Sequence, residues 1–511
     1  MEEESMTLSN ETNTDSRNLN FRIAPLSSIN LDSDVIKRLS QSLDSIVTGN
    51  QDNLRTPFLK ELSEAEVLKK FDSVVESHIE KLPQALVDLE LSNRDKFGPR
   101  SISTPWTERR ASLEEYFQPD VDKESINTHS TGGRLRQISN ANALQLLKSQ
   151  TSSGLPKLKK KAVVKPILLA SLEDQLKAKY PCVLYTRTQE LQKTRNVWGY
   201  PISDTLNEMK LFSPILAYHK THSSWRSSLL GPDSVDRRIT QLLNLPGKRV
   251  SIDFSAYDSH VKLHLQTSVR DYIKSLFQVS EHEDIDSIFV RMNEIGIVTP
   301  DGIFSGPHGV PSGSTLTNEV DSDAQYLVAN QIINPSDVAD INGDDGAYSL
   351  NDPDKLISAF IDHGLVVNTD KSYIKDDYFI YLQNYYSKEF QSDGLVRGIY
   401  PIYRAYMRLV FQERWSNFED YDISGQDYYN IRALSILENV RYHPLFRLLV
   451  QFVLDNDKFS LLTSEKGILN YVRMVQDTSG TQGIMMNQRG DDVKGIKNFA
   501  SFKMVQEIMS S

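Results

Sequence analysis

VADINGDDGAYSL, residues 338–350, reads as two short strands joined by a tight Gly-Asp-Asp-Gly turn. Upstream, RVSIDFS (249–255) alternates, with Val250, Ile252 and Phe254 on one face and Ser251 and Asp253 on the other, which is strand spacing. Between them, residues 261–277 put Leu265, Val269, Tyr272, Ile273 and Leu276 on one helical face. Residues 316–328 do the same with Leu316, Val320, Ala324 and Leu327. After the hairpin comes a punctuated helix: Asp352 as cap, Pro353 at the first position, Gly364 as stop. GLVVN (364–368) and YFIYLQ (378–383) are further strand candidates. Without the 316–328 helix the order is strand, helix, strand, strand, helix, strand, the split βαβ arrangement of a ferredoxin-like sheet. That order predicts an α+β fold and sets Asp253 beside the hairpin tip with Asp344 and Asp345. Unrelated proteins share the topology, so it does not fix the chemistry.

The carboxylates are more informative. Carboxyl groups brought together repel and call for a compensating charge. A divalent cation supplies it, and Mg²⁺ prefers hard oxygen ligands. Two such ions can clamp an in-line phosphoryl displacement. An Asp-Asp pair in a loop is more commonly a plain hydrophilic turn. RGDD recurs at 489–492 without strand patterning around it, and that copy reads as a surface turn.

The chain has 511 residues, enough for two or three lobes, and ordinary apolar and charged fractions. One cysteine, Cys182, excludes an internal disulfide, and no Cys/His set has zinc spacing. No apolar run is long enough to span a bilayer. The opening MEEESMTLSNETNTDSR is acidic and polar, unlike a secretory or transit signal, and predicts a soluble intracellular protein. The formal charge is −11, yet residues 151–200 carry ten Lys or Arg against three acids. A basic channel inside an acidic protein can follow a phosphate backbone, although a solvated lysine-rich loop has the same composition. No G-x4-G-K-[ST] occurs, which argues against a P-loop ATPase or helicase. Residues 31–95 read as mainly helical, with a capping box at Ser63 and Glu66, and 96–160 as loops with short elements.

Seven short blocks in one order carry a family resemblance. TSSGLP (151–156) resembles motif G of RNA-dependent RNA polymerases, and QKTRNVWGYP (192–201) resembles the basic motif F. DFSAYD (253–258) resembles motif A, GVPSGSTLTN (309–318) motif B, and NGDDG (342–346) motif C. NTDKSY (368–373) and YLQNYY (381–386) resemble motifs D and E. The run spans about half of the chain. THSSWRSSLLGPDS, the TN pair of motif B and the VWGYP tail of motif F are most similar to the picobirnavirus and partitivirus group of double-stranded RNA viruses.

The resemblance implies a right-handed polymerase with fingers, a ferredoxin-like palm and a helical thumb. Expected boundaries are an N-terminal extension at 1–60 and mainly fingers at 61–248. The palm follows at 249–386 with a fingers insertion near 279–305, then thumb and tail at 387–511. It implies template-directed RNA synthesis from nucleoside triphosphates, replicating and transcribing a viral genome. Asp253, Asp344 and Asp345 would hold Mg²⁺ or Mn²⁺. Lys371 is the candidate general acid for the departing pyrophosphate, or a simple counter-charge. Arg195, Lys193 and Arg187 would hold the triphosphate, Arg195 through its planar fork. Asp258 would help recognise the ribose 2′-hydroxyl, or cap the following helix. Ser312, Gly313 and Thr317 follow the motif B pattern, with Ser312 a nucleotide-side contact or a helix cap. Asn318 can bond the ribose network. The family often has Asn four residues after the Thr where this chain has Asp321, which leaves the division of roles between Asn318 and Asp321 open. The implied partners are RNA template and product, nucleoside triphosphates and a viral capsid protein, with no membrane segment. The implied setting is the host cytoplasm or the virion interior. TSGTQGIMMNQRGDDVKG (478–495) is expected either to fold into the cavity and support primer-independent initiation or to drape the surface. Reverse transcriptase and a non-catalytic, capsid-associated RNA-binding scaffold are the competing readings. Deoxynucleotide tests separate the first from an RNA polymerase, and nucleotide incorporation excludes the second.

Overall fold

The computed structural model describes residues 21–128, 133–479 and 493–511. Its central sheet has four antiparallel strands in the order Ala339–Asn342, Asp345–Leu350, Lys248–Ile252, Tyr373–Lys375. The alternation of RVSIDF is realised. Val250, Ile252 and Phe254 enter one core with Leu265, Val269 and Ile273 of helix Leu263–Leu276 and Val320, Ala324 and Leu327 of helix Thr317–Asn330. Leu356 and Phe360 of helix Pro353–Asp362 close the same core. Ser251 points the other way and accepts the Ile380 N–H, so the Tyr378–Tyr381 and Asn384–Ser387 hairpin covers the second face.

Two local expectations change. The fourth strand is Tyr373–Lys375, not 364–368. Leu365 is buried, but the chain turns at Asn368, whose carbonyl accepts the Lys371 N–H. The expected strand survives as one bridge, Val367 to Phe254. Asp352 holds the cap position without capping the backbone, and its carboxylate lies 3.4 Å from Lys355.

A second sheet joins distant segments in the order Arg22–Ala24, Gly302–Ser305, Ile297–Thr299, Cys182–Thr188, Thr194–Gly199. A third core is helical. Ile402–Val410, Gly425–Glu438 and Phe446–Asn456 pack with Phe71 and Val75 of helix Glu64–Ile79, the helix that starts at the expected Ser63 capping box. The segment containing Pro444 separates the last two of those C-terminal helices. No described helix is long and apolar enough to cross a membrane. The second RGDD, and residues 480–492 of the 478–495 stretch, lie outside the described residues.

Candidate active site

Asp253 stands one residue beyond its strand and is pinned from behind. Its carbonyl accepts the Asn368 N–H at 2.8 Å, and its own N–H donates to Ser372 Oγ at 3.2 Å. The hairpin partner is a two-residue turn closed by the Asn342–Asp345 pair, with Gly343 at φ +65°. A side chain there would be strained, and its Cβ would lie 3.1 Å from Asn318 Oδ1. Asp344 is exposed at the tip, and Asp345 is half-buried beside it.

The charges act on one another. Burial raises the Asp253 carboxyl and Asp344 adds to the rise, while Lys371 and Lys193 oppose it. Burial, then Asp344 and Asp253, push Asp345 up to about 8. This mutual repulsion, among hard oxygen donors, is the environment a divalent cation relieves, so the donor set fits such an ion. Among the described residues, no three Asp, Glu, His or Cys side chains are gathered tightly enough to ligate one ion. An ion would have to draw these carboxylates together.

Around them lies a basic wall. Arg187 and Arg195 are register partners across an antiparallel strand pair, so both present the same face. Lys193 follows the tip of that hairpin. Burial, with Arg195 and Lys371 close by, lowers its ammonium, and Asp253 and Asp344 pull it back up. At the tip itself, Glu190 accepts from Arg404 at 3.2 Å and lies 3.7 Å from Arg100. Thr188 Oγ1 donates to the Glu413 carbonyl at 3.4 Å. The hairpin is therefore fastened to the C-terminal helical core.

Asp258 hydrogen-bonds Asp321 side chain to side chain. Burial, then Asp344, push Asp258 up to about 6, with Arg195 opposing. Burial, then Asp258, raise Asp321 well above the carboxylate range. Asp258 does not cap the following helix, which starts at Leu263 with Lys262 at its cap position. Burial first, with Asp258 and Asp321 adding to it, raises the Tyr116 hydroxyl well above its ordinary value.

The motif B hydroxyls serve the backbone. Ser312 Oγ donates to the Asn196 carbonyl at 3.0 Å, fastening this loop to strand Thr194–Gly199; it caps no helix. Thr317 Oγ1 donates to Pro311 and Ser314 carbonyls at 2.8 and 2.9 Å. Gly313 is packed so closely that a Cβ would strike the Trp198 carbonyl. Glu208 accepts the Thr315 N–H at 2.7 Å, and burial pushes its carboxyl up to about 8.

Thus Asp253, Asp344, Asp345, Asp258, Lys193, Arg195 and Lys371 form one electrostatic unit. Arg187 joins it through strand register, and Asn318 through its contact with the hairpin tip. Sequence reading missed Tyr116, Ser322 and Gln325. Tyr116 lies in a stretch without periodicity. Ser322 and Gln325 left no distinct trace, because Asn318, Glu319, Asp321 and Asp323 make the same helix rich in polar positions.

The chain belongs to the viral RNA-dependent RNA polymerases, whose family model matches residues 68–440. It is 28% identical over 475 residues to the potential RNA-dependent RNA polymerase of Human picobirnavirus (strain Human/Thailand/Hy005102/-), covering 84% of this chain and 86% of that one. It is similar in fold to the crystal structure of the RNA-dependent RNA polymerase of a human picobirnavirus, with a TM-score of 0.78 and 23% identity over 94% of this chain and 100% of that chain. The insertion-loop deletion mutant of a human picobirnavirus polymerase matches with the same TM-score and coverage at 24% identity.

Proposed function

We propose that this RNA-dependent RNA polymerase replicates and transcribes a viral RNA genome by nucleotidyl transfer assisted by two divalent ions. The observation that carries this is the electrostatic coupling of Asp253, Asp344 and Asp345 with one another and with the neighbouring Lys193, Arg195 and Lys371. Asp253 and Asp344, with Asp345 beside them, are the assigned holders of Mg²⁺ or Mn²⁺. Such ions lower the pKa of the attacking hydroxyl and neutralise the departing oxygens.

Arg195 and Lys193, with Arg187 behind, hold the triphosphate against the carboxylates. The 3′-hydroxyl of the growing strand forms a bond to the α-phosphorus as the bond to the β-phosphate breaks, and pyrophosphate leaves. Lys371 sits where it can give that leaving group a proton or balance its charge. Asp258, paired with Asp321, accepts from the ribose 2′-hydroxyl. Likeness to picobirnavirus enzymes supports work in the host cytoplasm or inside a virion, with a capsid protein as partner.

The test is incorporation of labelled ribonucleotides on single-stranded RNA with Mg²⁺ or Mn²⁺, by the parent and by Asp344→Ala. Polymerisation lost in a folded variant supports the reading. Equal activity in the variant removes Asp344 from it, and a preference for deoxynucleotides returns the reverse-transcriptase alternative.

A further inference from the structure

Helix Thr317–Asn330 is apolar where it faces the core, through Val320, Ala324, Leu327 and Val328. Three of its positions with no exposed area are nonetheless polar: Asp323, 3.3 Å from His219 Nε2, and the pair Ser322 and Gln325. Burying such groups costs free energy unless every one finds a partner. Asn318, Ser322 and Gln325 stand at i, i+4 and i+7, a single stripe along the helix. That stripe faces the turn bearing Asp344.

The partners are specific. Ser322 Oγ donates to the Asn318 carbonyl at 2.6 Å and accepts the Gly343 N–H at 2.7 Å. Gln325 Nε2 donates to the carbonyls of Gly343 and Asp344, at 3.2 and 3.3 Å. Gln325 Oε1 accepts from the Tyr348 hydroxyl at 2.7 Å, which fixes the amide's orientation. The peptide groups on both sides of Gly343 and the one following Asp344 are therefore held by side chains of a neighbouring helix. Asn318 sits against Gly343 itself.

We infer that Gln325, with Ser322, is a positioning residue that holds the Gly343–Asp344 turn so that the Asp344 carboxylate is presented to a divalent ion. The inference rests on the reading that Asp344 ligates that ion. Neither side chain touches substrate or ion; both act through the turn's backbone. The same stripe begins at Asn318 beside the ribose site, so nucleotide contact and hairpin position share one rigid helix. Partners behind a metal ligand typically govern affinity by about 10–100-fold.

The experiment is calorimetric titration of Mn²⁺ into the whole protein, without RNA or nucleotide. The parent should bind and Asp344→Ala should not, which secures the underlying reading. Gln325→Met keeps length and apolar volume but removes both donors and the acceptor. Ser322→Ala removes the acceptor for Gly343. Each should weaken Mn²⁺ binding by roughly tenfold. Incorporation should recover toward the parent's rate when the ion is raised to saturation. The control is Gln266→Met, another buried amide, which donates to Val261 and His308 carbonyls away from the hairpin. It should leave Mn²⁺ affinity unchanged. Parent-like Mn²⁺ binding by folded Gln325→Met overturns the inference; if that variant does not fold, Ser322→Ala decides in the same way. An equal loss in Gln266→Met also overturns it, because the effect is then general loosening. Mn²⁺ binding by Asp344→Ala at the parent's affinity removes the ion reading first, and the positioning role with it.

Discussion

Asp258 and Asp321 meet side chain to side chain in a hydrogen bond, one just beyond the first palm strand, the other on the helix behind the hairpin. Two carboxyl groups can bond this way only when one carries a proton. Asp258 is raised to about 6 and Asp321 moves in the same direction. An acid whose folded pKa lies above its unfolded value near 3.8 stabilises the fold at low pH. That stability is lost as pH rises through the folded value.

The first prediction follows from that sign. In chelator, the parent's melting temperature should fall between about pH 4 and pH 7, each tenfold change in proton affinity being worth about 1.4 kcal/mol. Asp321→Asn offers Asp258 an amide donor without needing a proton, so its profile should be flatter over that range. Superimposable profiles would show that the pair does not share a proton.

Arg195 gives a second prediction. A hydrogen bond to a charged group contributes about 1.5–3 kcal/mol, and about 1.36 kcal/mol is tenfold, so Arg195→Ala should raise the nucleotide KM by about 10–100-fold. Arg195→Lys should recover part of this, because it keeps the charge and loses the fork. Steady-state incorporation measures both. A KM unchanged in Arg195→Ala removes it from the triphosphate site.

Gly313 gives a third. Its Cβ would meet backbone, the Trp198 carbonyl, which cannot swing aside as a side chain can. Gly313→Ala should therefore cost about 1–3 kcal/mol of overpacking and displace the loop of Ser312. The expected result is a folded protein, seen by circular dichroism, with strongly reduced incorporation. Full activity would show that the loop shifts freely.

A fourth concerns the interior. Arg226 donates to both oxygens of Glu319 at 3.0 and 3.1 Å, and both side chains are buried. Removing one partner leaves an uncompensated charge, so Arg226→Met should cost about 3–5 kcal/mol in urea unfolding. Arg226→Met with Glu319→Met should recover much of it. Equal losses in the single and double variants would mean the charge was not the cause.

The palm was legible because its rules are local. The strand alternation read at 249–255 appears as strand Lys248–Ile252 and the helical spacing read at 261–277 as helix Leu263–Leu276, and the Pro353 start and Gly364 stop depend only on backbone chemistry. The 364–368 strand misled because an apolar run resembles a strand even where the chain needs a turn to pin Asp253. The Asp258–Asp321 bond and the Gln325 contacts were not legible. They depend on which face of one element meets another from far along the chain, and a helical period says which residues share a face, not what that face meets.

The N-terminal helix Glu64–Ile79 has its place inside the core built by residues 402–456. Strand Arg22–Ala24 likewise has its only ladder partner, among the described residues, at Gly302–Ser305. On a ribosome these early pieces emerge long before their mates, with Phe71 and Val75 uncovered in the interval. Completing such distant pairings is slow and leaves sticky intermediates. Recovery of active enzyme should thus depend on how crowded and how chaperoned the nascent chain is, and the molecule should acquire its shape only near the end of its own synthesis.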